Sequence, residues 1–266
     1  MKPPPFVYRP ARSVSEAVRL LGEADAKALA GGQSLVPLLN FRLARPRLLV
    51  DLNPVTELSY LRRTGGVLRI GALTRQAVLE RSELVARGWP VLRQAVSMVA
   101  HPAIRNRGTI GGSVAHADPQ AELPVALTAL DARFHVRSAR GARTLAAAEL
   151  FRGAMMTALE DDELLTEIEI PAAPAGAGMA FTEYARTHGD FALAGAAVVL
   201  APGEHAAVAV LGAASTPVRA RAAEQALRDG ASDAEAGELA AAEIKDRYRR
   251  ALVTAMVTRA AGRARP

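Results

Sequence analysis

The sequence contains no cysteine. A chain without thiols carries no disulfide framework, no thiolate zinc site and no iron–sulfur cluster of its own. A reducing, cytoplasmic setting is the simplest expectation. Aromatic residues make up only 4% of the chain, and no Arg/Lys block alternates with stacking residues, so the net charge of +6 does not read as a nucleic-acid surface. Only Lys2, Lys27 and Lys245 of the 33 basic residues are lysine, and the arginines are scattered. They read as a solvated surface with some arginines reserved for partner subunits. No apolar run reaches the roughly twenty residues that a transmembrane helix needs, and nothing of signal-peptide type follows Met1-Lys2-Pro3-Pro4-Pro5. The expectation is a chain with no membrane span.

Other absences concern chemistry. Neither Gly-x-Gly-x-x-Gly after a strand nor Gly-x-x-x-x-Gly-Lys-Ser/Thr occurs, so Rossmann and P-loop readings have no support. The histidines, His101, His116, His135, His188 and His205, show neither i, i+4 spacing nor carboxylate pairing, and no metal site is expected. No Ser-His-Asp order or paired carboxylates mark a catalytic centre, so no catalytic residue is assigned. Any chemistry would belong to a cofactor.

What is present is a globular chain, half hydrophobic and 266 residues long, enough for one or two domains with a sizeable core. Ser13-Val14-Ser15-Glu16 is a capping-box pattern for a helix ending near Gly22. A strand at Ala28–Ala30, a helix over Leu35–Leu43 and a strand at Leu48–Leu52 make a small βαβ-like lobe. Thr64-Gly65-Gly66 marks a hairpin between Tyr60–Arg63 and Val67–Ile70. Thr74 is expected to cap the next helix, and Pro90 to open the apolar run Trp89–Ala100, which Pro102 should stop. Further on come a helix from near Pro124 and strands at Arg133–Val136, Arg143–Leu145 and one ending at Ile170. Pro171 to Gly178 reads as a linker. Beyond it, three strands (Met179–Arg186, Phe191–Leu200, Ala206–Leu211, the last two joined by a turn at Pro202-Gly203-Glu204-His205) precede helices Val218–Arg228, Ala234–Ile244 and Arg247–Arg263. Strands followed by helices suggest an α+β layer.

Two glycine segments stand out. Gly108, Thr109, Ile110, Gly111, Gly112 and Ser113 follow Pro102, and the sequence predicts a loop that exposes backbone there. Upstream, Leu29-Ala30-Gly31-Gly32-Gln33-Ser34-Leu35 has the same make-up. Two such segments suggest one pyrophosphate gripped from both sides, although a tight turn or β-bulge would also use glycine for geometry alone.

Four motifs carry a resemblance: Ala30-Gly31-Gly32-Gln33-Ser34-Leu35; Ile104-Arg105-Asn106-Arg107-Gly108-Thr109-Ile110-Gly111-Gly112-Ser113; Ala115-His116-Ala117-Asp118-Pro119; and Gly189-Asp190-Phe191-Ala192-Leu193. In this order and spacing they resemble the FAD-binding medium subunit of the molybdenum hydroxylases, the xanthine dehydrogenase and aerobic carbon monoxide dehydrogenase family. The likeness spans almost the whole chain.

The resemblance implies an α+β fold: a PCMH-type, vanillyl-alcohol-oxidase-like FAD-binding domain over 1–172, of two α/β lobes (about 1–56 and 57–172). A C-terminal domain over 179–266 would follow, a three-stranded antiparallel sheet with a helical bundle. It implies non-covalent FAD, since Gln33 stands where a tethering histidine would and cysteine is absent. Amides of Gly31, Gly32, Gln33 and Ser34 on one side, and of Thr109, Gly111, Gly112 and Ser113 on the other, would bind the pyrophosphate. Leu29, Ala30, Leu35, Gly108, Ile110 and His116 would line the cofactor and Glu122 would face its ribose. Asp118 is a second ribose or adenine candidate, or a turn residue ahead of Pro119. Leu165 would lie against the isoalloxazine, and Gly189-Asp190-Phe191 would close over it, unless Phe191 is core. Relatives carry a lysine shortly after the aromatic at Phe181; here Thr182 and Glu183 stand, with Arg186 the candidate substitute. Partners implied are a large molybdopterin subunit and a small [2Fe–2S] subunit in a dimer of heterotrimers. A free-standing flavin oxidoreductase and a non-catalytic nucleotide-binding module are the alternatives.

Overall fold

The computed structural model describes residues 2–201 and 205–265; the expected turn at Pro202-Gly203-Glu204 lies outside the described residues. The chain opens with β1 (Val7–Pro10) and α1 (Val14–Leu21). Ser13 accepts the Glu16 N–H at 3.1 Å, and the Glu16 carboxylate reaches back to the N–H of Arg12 at 2.8 Å. This is the expected capping signature with its return arm one residue earlier. Val14, Ala17, Val18 and Leu21 form the 3.6-period stripe that α1 buries. Beneath it lies a parallel sheet ordered β1-β3-β2, with β2 (Ala26–Leu29) and β3 (Leu48–Asp51) joined through α2 (Leu35–Asn40). α2 stops short of the expected Leu43 because Arg42 turns into the left-handed region, φ +59. β1 carries no alternation and all four of its residues are exposed, so nothing in the sequence marks it.

A 3₁₀ turn at Thr56–Leu58 leads into the expected hairpin of β4 (Leu61–Thr64) and β5 (Val67–Gly71). Helices α3 (Gln76–Arg81), α4 (Glu83–Gly88), α5 (Pro90–Met98), α6 (Pro102–Arg107), α7 (Ile110–His116) and α8 (Glu122–Ala129) follow. Then come β6 (Arg133–Ser138), β7 (Gly141–Ala146), α9 (Ala147–Leu150), the small hairpin β8 (Phe151–Gly153) and β9 (Met156–Thr157), and β10 (Leu164–Ile170). β10 returns to the centre of an antiparallel sheet ordered β4-β5-β10-β6-β7. Thr74 does not cap a helix. Its hydroxyl donates to the Tyr60 carbonyl at 2.8 Å, and Arg75, in extended backbone, precedes α3. Pro102 both follows one helix and opens the next: Ala100 turns at φ +43, and a proline in the first turn loses no helical hydrogen bond.

The C-terminal part is β11 (Gly178–Tyr184), β12 (Ala194–Leu200), β13 (Ala206–Leu211) and β14 (Val218–Arg219), antiparallel in that order, with α10 (Arg221–Arg228), α11 (Asp233–Ala240) and α12 (Arg247–Ala264). The expected three-stranded sheet therefore has a fourth strand. Val218 and Arg219 pair with Val210 and Ala209 instead of opening a helix. β12 and β13 are buried on both faces, which explains their unbroken apolar sequence. Ala197, Val199, Ala207, Ala209 and Leu211 enter the main core with Leu92, Leu127, Phe134 and Ile168, while Ala196, Val198, Val208 and Val210 pack on α12. The main core thus runs unbroken past the 171–178 segment. The indole N–H of the buried Trp89 fastens that segment, donating to the Pro171 carbonyl at 3.0 Å.

Candidate functional site

Where β2 ends, the chain has to pass another backbone at close range. A β-carbon on Gly31 would lie 2.3 Å from the Arg107 carbonyl oxygen and 2.9 Å from the Gly108 α-carbon, so only glycine fits. Gly32 takes φ +75 and turns the chain toward α2. Gln33 donates its side-chain amide to the Gly31 carbonyl at 2.9 Å, fixing the turn. Among the described residues, the backbone N–H groups of Gly31, Gly32, Gln33 and Ser34 find no acceptor within the chain. Successive unpaired backbone donors are the kind of group that binds anions. The two glycine segments, far apart in sequence, meet here backbone to backbone.

The second segment differs from its sequence reading. It is no loop but the junction of two helices: Gly108 ends α6, and Thr109 caps α7 by accepting the Gly112 N–H at 3.0 Å. Gly111 donates to the Ala72 carbonyl at 2.9 Å and Ser113 to the Thr109 carbonyl at 3.1 Å. Three of the four amides expected here to bind pyrophosphate are already satisfied, and Thr109 N–H alone is without an acceptor among the described residues. Gly111 is there for packing, because a β-carbon on it would stand 2.6 Å from Ala72 Cβ. Ile110 is buried, with its N–H on the Thr74 carbonyl at 3.1 Å.

A polar relay that sequence reasoning missed ties the segments together. Asn53 donates its side-chain amide to the Ala30 carbonyl at 3.0 Å and accepts from Arg75 Nη2 at 2.6 Å, while Arg75 Nη1 donates to the Arg107 carbonyl. Asp51, buried at the end of β3, accepts the Asn53 N–H at 3.0 Å and the Tyr8 hydroxyl at 2.5 Å. Burial opposes its charge, but the Tyr8 and Asn53 hydrogen bonds and the Arg75 guanidinium outweigh it and hold the carboxyl below its usual pKa.

The remaining candidates gather at the seam with the C-terminal sheet. His116 ends α7 and Ala117 turns left-handed, φ +49. Asp118 accepts the Gln120 N–H at 2.8 Å, so its carboxylate is a turn element, and the Gln120 side chain donates to the Ala192 carbonyl at 3.1 Å. Glu122 sits in the first turn of α8, buried, and burial pushes its pKa up to about 7. Gly189, φ +86, packs against the His101 ring: a β-carbon there would fall 2.4 Å from Cε1. Asp190 is exposed. Phe191 is 67% exposed and precedes β12, so it is not a core residue. Leu165 lies on the other side of that balance, 4% exposed in the main core beside the bulge in β10.

A second cluster contradicts the expectation that no histidine has carboxylate company. The β6–β10 register puts His135 opposite Glu167, with His135 Nε2 3.2 Å from Glu169 Oε2 and 3.7 Å from Glu167 Oε1. Both carboxylates already bind Arg69, at 2.6 and 2.7 Å, and Glu167 also accepts from Tyr60. A cation would have to displace Arg69. A cavity of about 380 Å³ opens beside this cluster, lined by Glu57, Tyr60, His135, Thr144 and Glu167 and by none of the glycine-segment residues.

The fold and the paired glycine segments define a class: an α+β protein in which two glycine segments meet backbone to backbone and leave main-chain amides unpaired, without a Rossmann or P-loop turn. A model of the family described as FAD binding domain in molybdopterin dehydrogenase matches residues 4–173. The alpha subunit of the 6-hydroxypseudooxynicotine dehydrogenase complex of Paenarthrobacter nicotinovorans is 48% identical over 236 residues, 86% of this chain and 80% of that one. Carbon monoxide dehydrogenase of Hydrogenophaga pseudoflava has a chain superposing with a TM-score of 0.94 at 40% identity, covering 99% of this chain and 98% of that one. Quinoline 2-oxidoreductase from Pseudomonas putida 86 has one with a TM-score of 0.92 at 37% identity, covering 99% and 98%. The chain belongs to the family of FAD-binding medium subunits of molybdenum hydroxylases, oxidoreductase components with a PCMH-type fold that work in complexes with other subunits. Among the described residues, no helix is long and apolar enough to cross a membrane.

Proposed function

We propose that the chain relays electrons inside a molybdenum hydroxylase, receiving them from [2Fe–2S] clusters on a small subunit and passing them to an external acceptor, while substrate is oxidised at a molybdopterin centre on a large subunit. The observation that carries this reading is the contact of Gly31 with Arg107 and Gly108, beside four unpaired amides. Four unpaired amides where two backbones meet without side chains suit a phosphate group brought against bare backbone, so the residues present fit FAD. Gly31, Gly32, Gln33, Ser34 and Thr109 would hold its pyrophosphate through their N–H groups. Leu29, Ala30, Leu35, Gly108, Gly112, Ser113 and His116 would line it, Glu122 would meet its ribose, and Asp190 and Phe191 would cover its ring. Ile110, Gly111, Asp118 and Leu165 support from behind by packing and turn formation. Bound flavin supplies the one- and two-electron chemistry that this chain's side chains lack. The chain's own part is to orient it and to exclude water.

The absence of cysteine supports placing the clusters on another subunit. We extend the reading to a dimer of heterotrimers in the cytoplasm, with 1–172 acting as the flavin domain and 179–266 as the C-terminal domain. The test is a visible absorption spectrum of the purified chain, followed by heat release of the chromophore. Bands near roughly 370 and 450 nm that pass into the supernatant as FAD support it. A colourless chain that cannot be reconstituted with FAD overturns it, and flavin reduction by a small substrate added to the isolated chain favours a free-standing oxidoreductase.

A further inference from the structure

The N-terminal sheet is covered unequally. β3 lies between β1 and β2, so right-handed crossovers send α1 and α2 to opposite faces. On one face α1 buries Val14, Ala17, Val18 and Leu21 over Leu48 and Val50. On the other, α2 reads Leu-Val-Pro-Leu-Leu-Asn, yet Leu39 alone of its residues is buried. Phe41 and Leu43, in the turn after it, are 64% and 75% exposed. That exposure is built in. Arg42 takes φ +59, and the N–H groups of Leu43 and Ala44 both donate to the Leu38 carbonyl, at 2.9 and 3.2 Å, so main-chain hydrogen bonds close the turn and hold the two side chains out. Large apolar side chains gathered on one ordered, exposed segment mark an interaction site.

The same stretch is basic. From Lys27 to Val50 the sequence has no acidic residue, while Lys27, Arg42, Arg45 and Arg47 are all exposed. Among the described residues none of these four forms an ion pair; Arg45 donates only to the Arg42 carbonyl, at 3.0 Å. Ala26 and Ala28 pack on the α1 side, so the alternation of β2 puts Lys27 on the α2 side. An apolar centre with arginines around it is the composition of a protein interface, and the charge calls for an acidic partner. A second copy of this chain is a poor occupant, because a two-fold contact would set the basic face against itself.

The face begins where the four unpaired amides end. Ser34 immediately precedes α2, and Leu29 Cδ1 and Val36 Cγ2 flank Gly32, 3.3 and 3.1 Å from where a β-carbon would stand. We propose that this face seats the subunit that carries the [2Fe–2S] clusters, with Phe41 and Leu43 entering an apolar centre on that subunit and Arg42, Arg45 and Arg47 meeting acidic residues around it. Cysteine thiolates and sulfides give such clusters net negative charge, which the basic face complements. A subunit seated there also lies next to the anion that the amides hold, the place an electron donor to that cofactor needs. The choice of the electron donor as occupant rests on the flavin reading; the docking face itself does not.

The test uses the assembled complex, purified through a tag on this chain. A benzophenone side chain that crosslinks on illumination replaces Leu43 in one preparation and Phe41 in another, and the crosslinked subunit is identified by mass. The expected product joins this chain to the iron–sulfur subunit. A product with the molybdopterin subunit or with a second copy of the chain overturns the proposal, and so does illumination that yields no product from either position. Charge reversal is the second arm. With Arg45→Glu and Arg47→Glu together, iron per tagged chain should fall about tenfold at low salt, because these side chains then repel an acidic partner, and the gap from the wild type should narrow as added salt screens the charges. Unchanged iron at low salt overturns the proposal. If the double variant does not fold, Arg45→Glu alone is read in the same way. A complex that crosslinks to the iron–sulfur subunit while the chain holds no FAD keeps the docking face and sinks the flavin reading; bound FAD without the crosslink sinks the docking face alone.

Discussion

The Gly31 α-carbon faces the carbonyl of Arg107 so closely that a β-carbon would sit 2.3 Å from the oxygen. That approach is below any real carbon contact, and the obstacle is backbone at the end of α6, which cannot swing aside. Gly31→Ala should force the first segment away from the second, with about 1–3 kcal/mol of overpacking and FAD affinity lowered by at least about tenfold, since each 1.4 kcal/mol of misplacement costs that factor. Urea unfolding and fluorescence titration with FAD measure the two effects. Unchanged affinity would mean that the cofactor does not need this juxtaposition.

Asp51 offers a pH signature at the same place. It anchors Asn53 and Tyr8, and its carboxyl is held below the usual value. A depressed group contributes stability above its unfolded pKa and loses it as pH falls through the folded one. Asp51→Asn should cost about 1–3 kcal/mol at pH 7 by leaving polar partners unmatched. The gap from the wild type should narrow as pH falls from about 5 toward 3, the range below the ordinary aspartate value. Chemical unfolding at several pH values checks this; a gap that stays constant would assign Asp51 a purely steric role.

Both glycine segments are visible in the sequence because close approach leaves only one residue type possible, and the cost of any other is large. What joins them is not visible. Asn53 and Arg75 act through a side-chain amide and a guanidinium reaching across two sheets, and asparagine before proline or an arginine before a helix occurs too often to signal that. The helix over 110–116 is hidden for a related reason. Two glycines lower helix propensity, but Thr109 capping and the burial of Ile110 and Val114 override it. His135 and Glu167 meet only through strand register, which a β-bulge after Leu165 adjusts locally and no periodicity count foresees. The short β14 escapes notice because two residues carry no alternation.

Phe191 separates the two roles left open by the sequence. At 67% exposure it contributes little to the core, so Phe191→Ala should change the stability of the FAD-free chain by less than about 0.5 kcal/mol. If the side chain covers the flavin, the same variant should make bound FAD more fluorescent and more accessible to an aqueous quencher, because an aromatic contact is lost. Thermal unfolding without FAD and quenching with FAD distinguish these. A large loss of stability with unchanged quenching would place Phe191 in the fold and remove it from the site.

Arg219 and Glu224 staple the C-terminal sheet to α8. Glu224, 1% exposed, accepts from Arg219 Nε, from the Val208 N–H at 2.9 Å and from Arg221 at 3.0 Å, and Arg219 reaches on to the Thr128 carbonyl at 3.1 Å and Asp131 at 2.5 Å. Glu224→Gln keeps the shape and removes the charge, leaving the half-buried guanidinium with only the exposed Asp131 as counter-ion. Breaking a buried pair from one side costs about 3–5 kcal/mol, whereas replacing both partners with apolar residues often costs far less. The double variant Arg219→Leu/Glu224→Leu should therefore be more stable than the sum of its single variants requires, by a coupling of about 0.5–3 kcal/mol. Urea unfolding of the four proteins closes the cycle. Additive costs would show that each residue acts alone through the main-chain groups it binds, and that the seam is held by its apolar contacts and not by this ion pair.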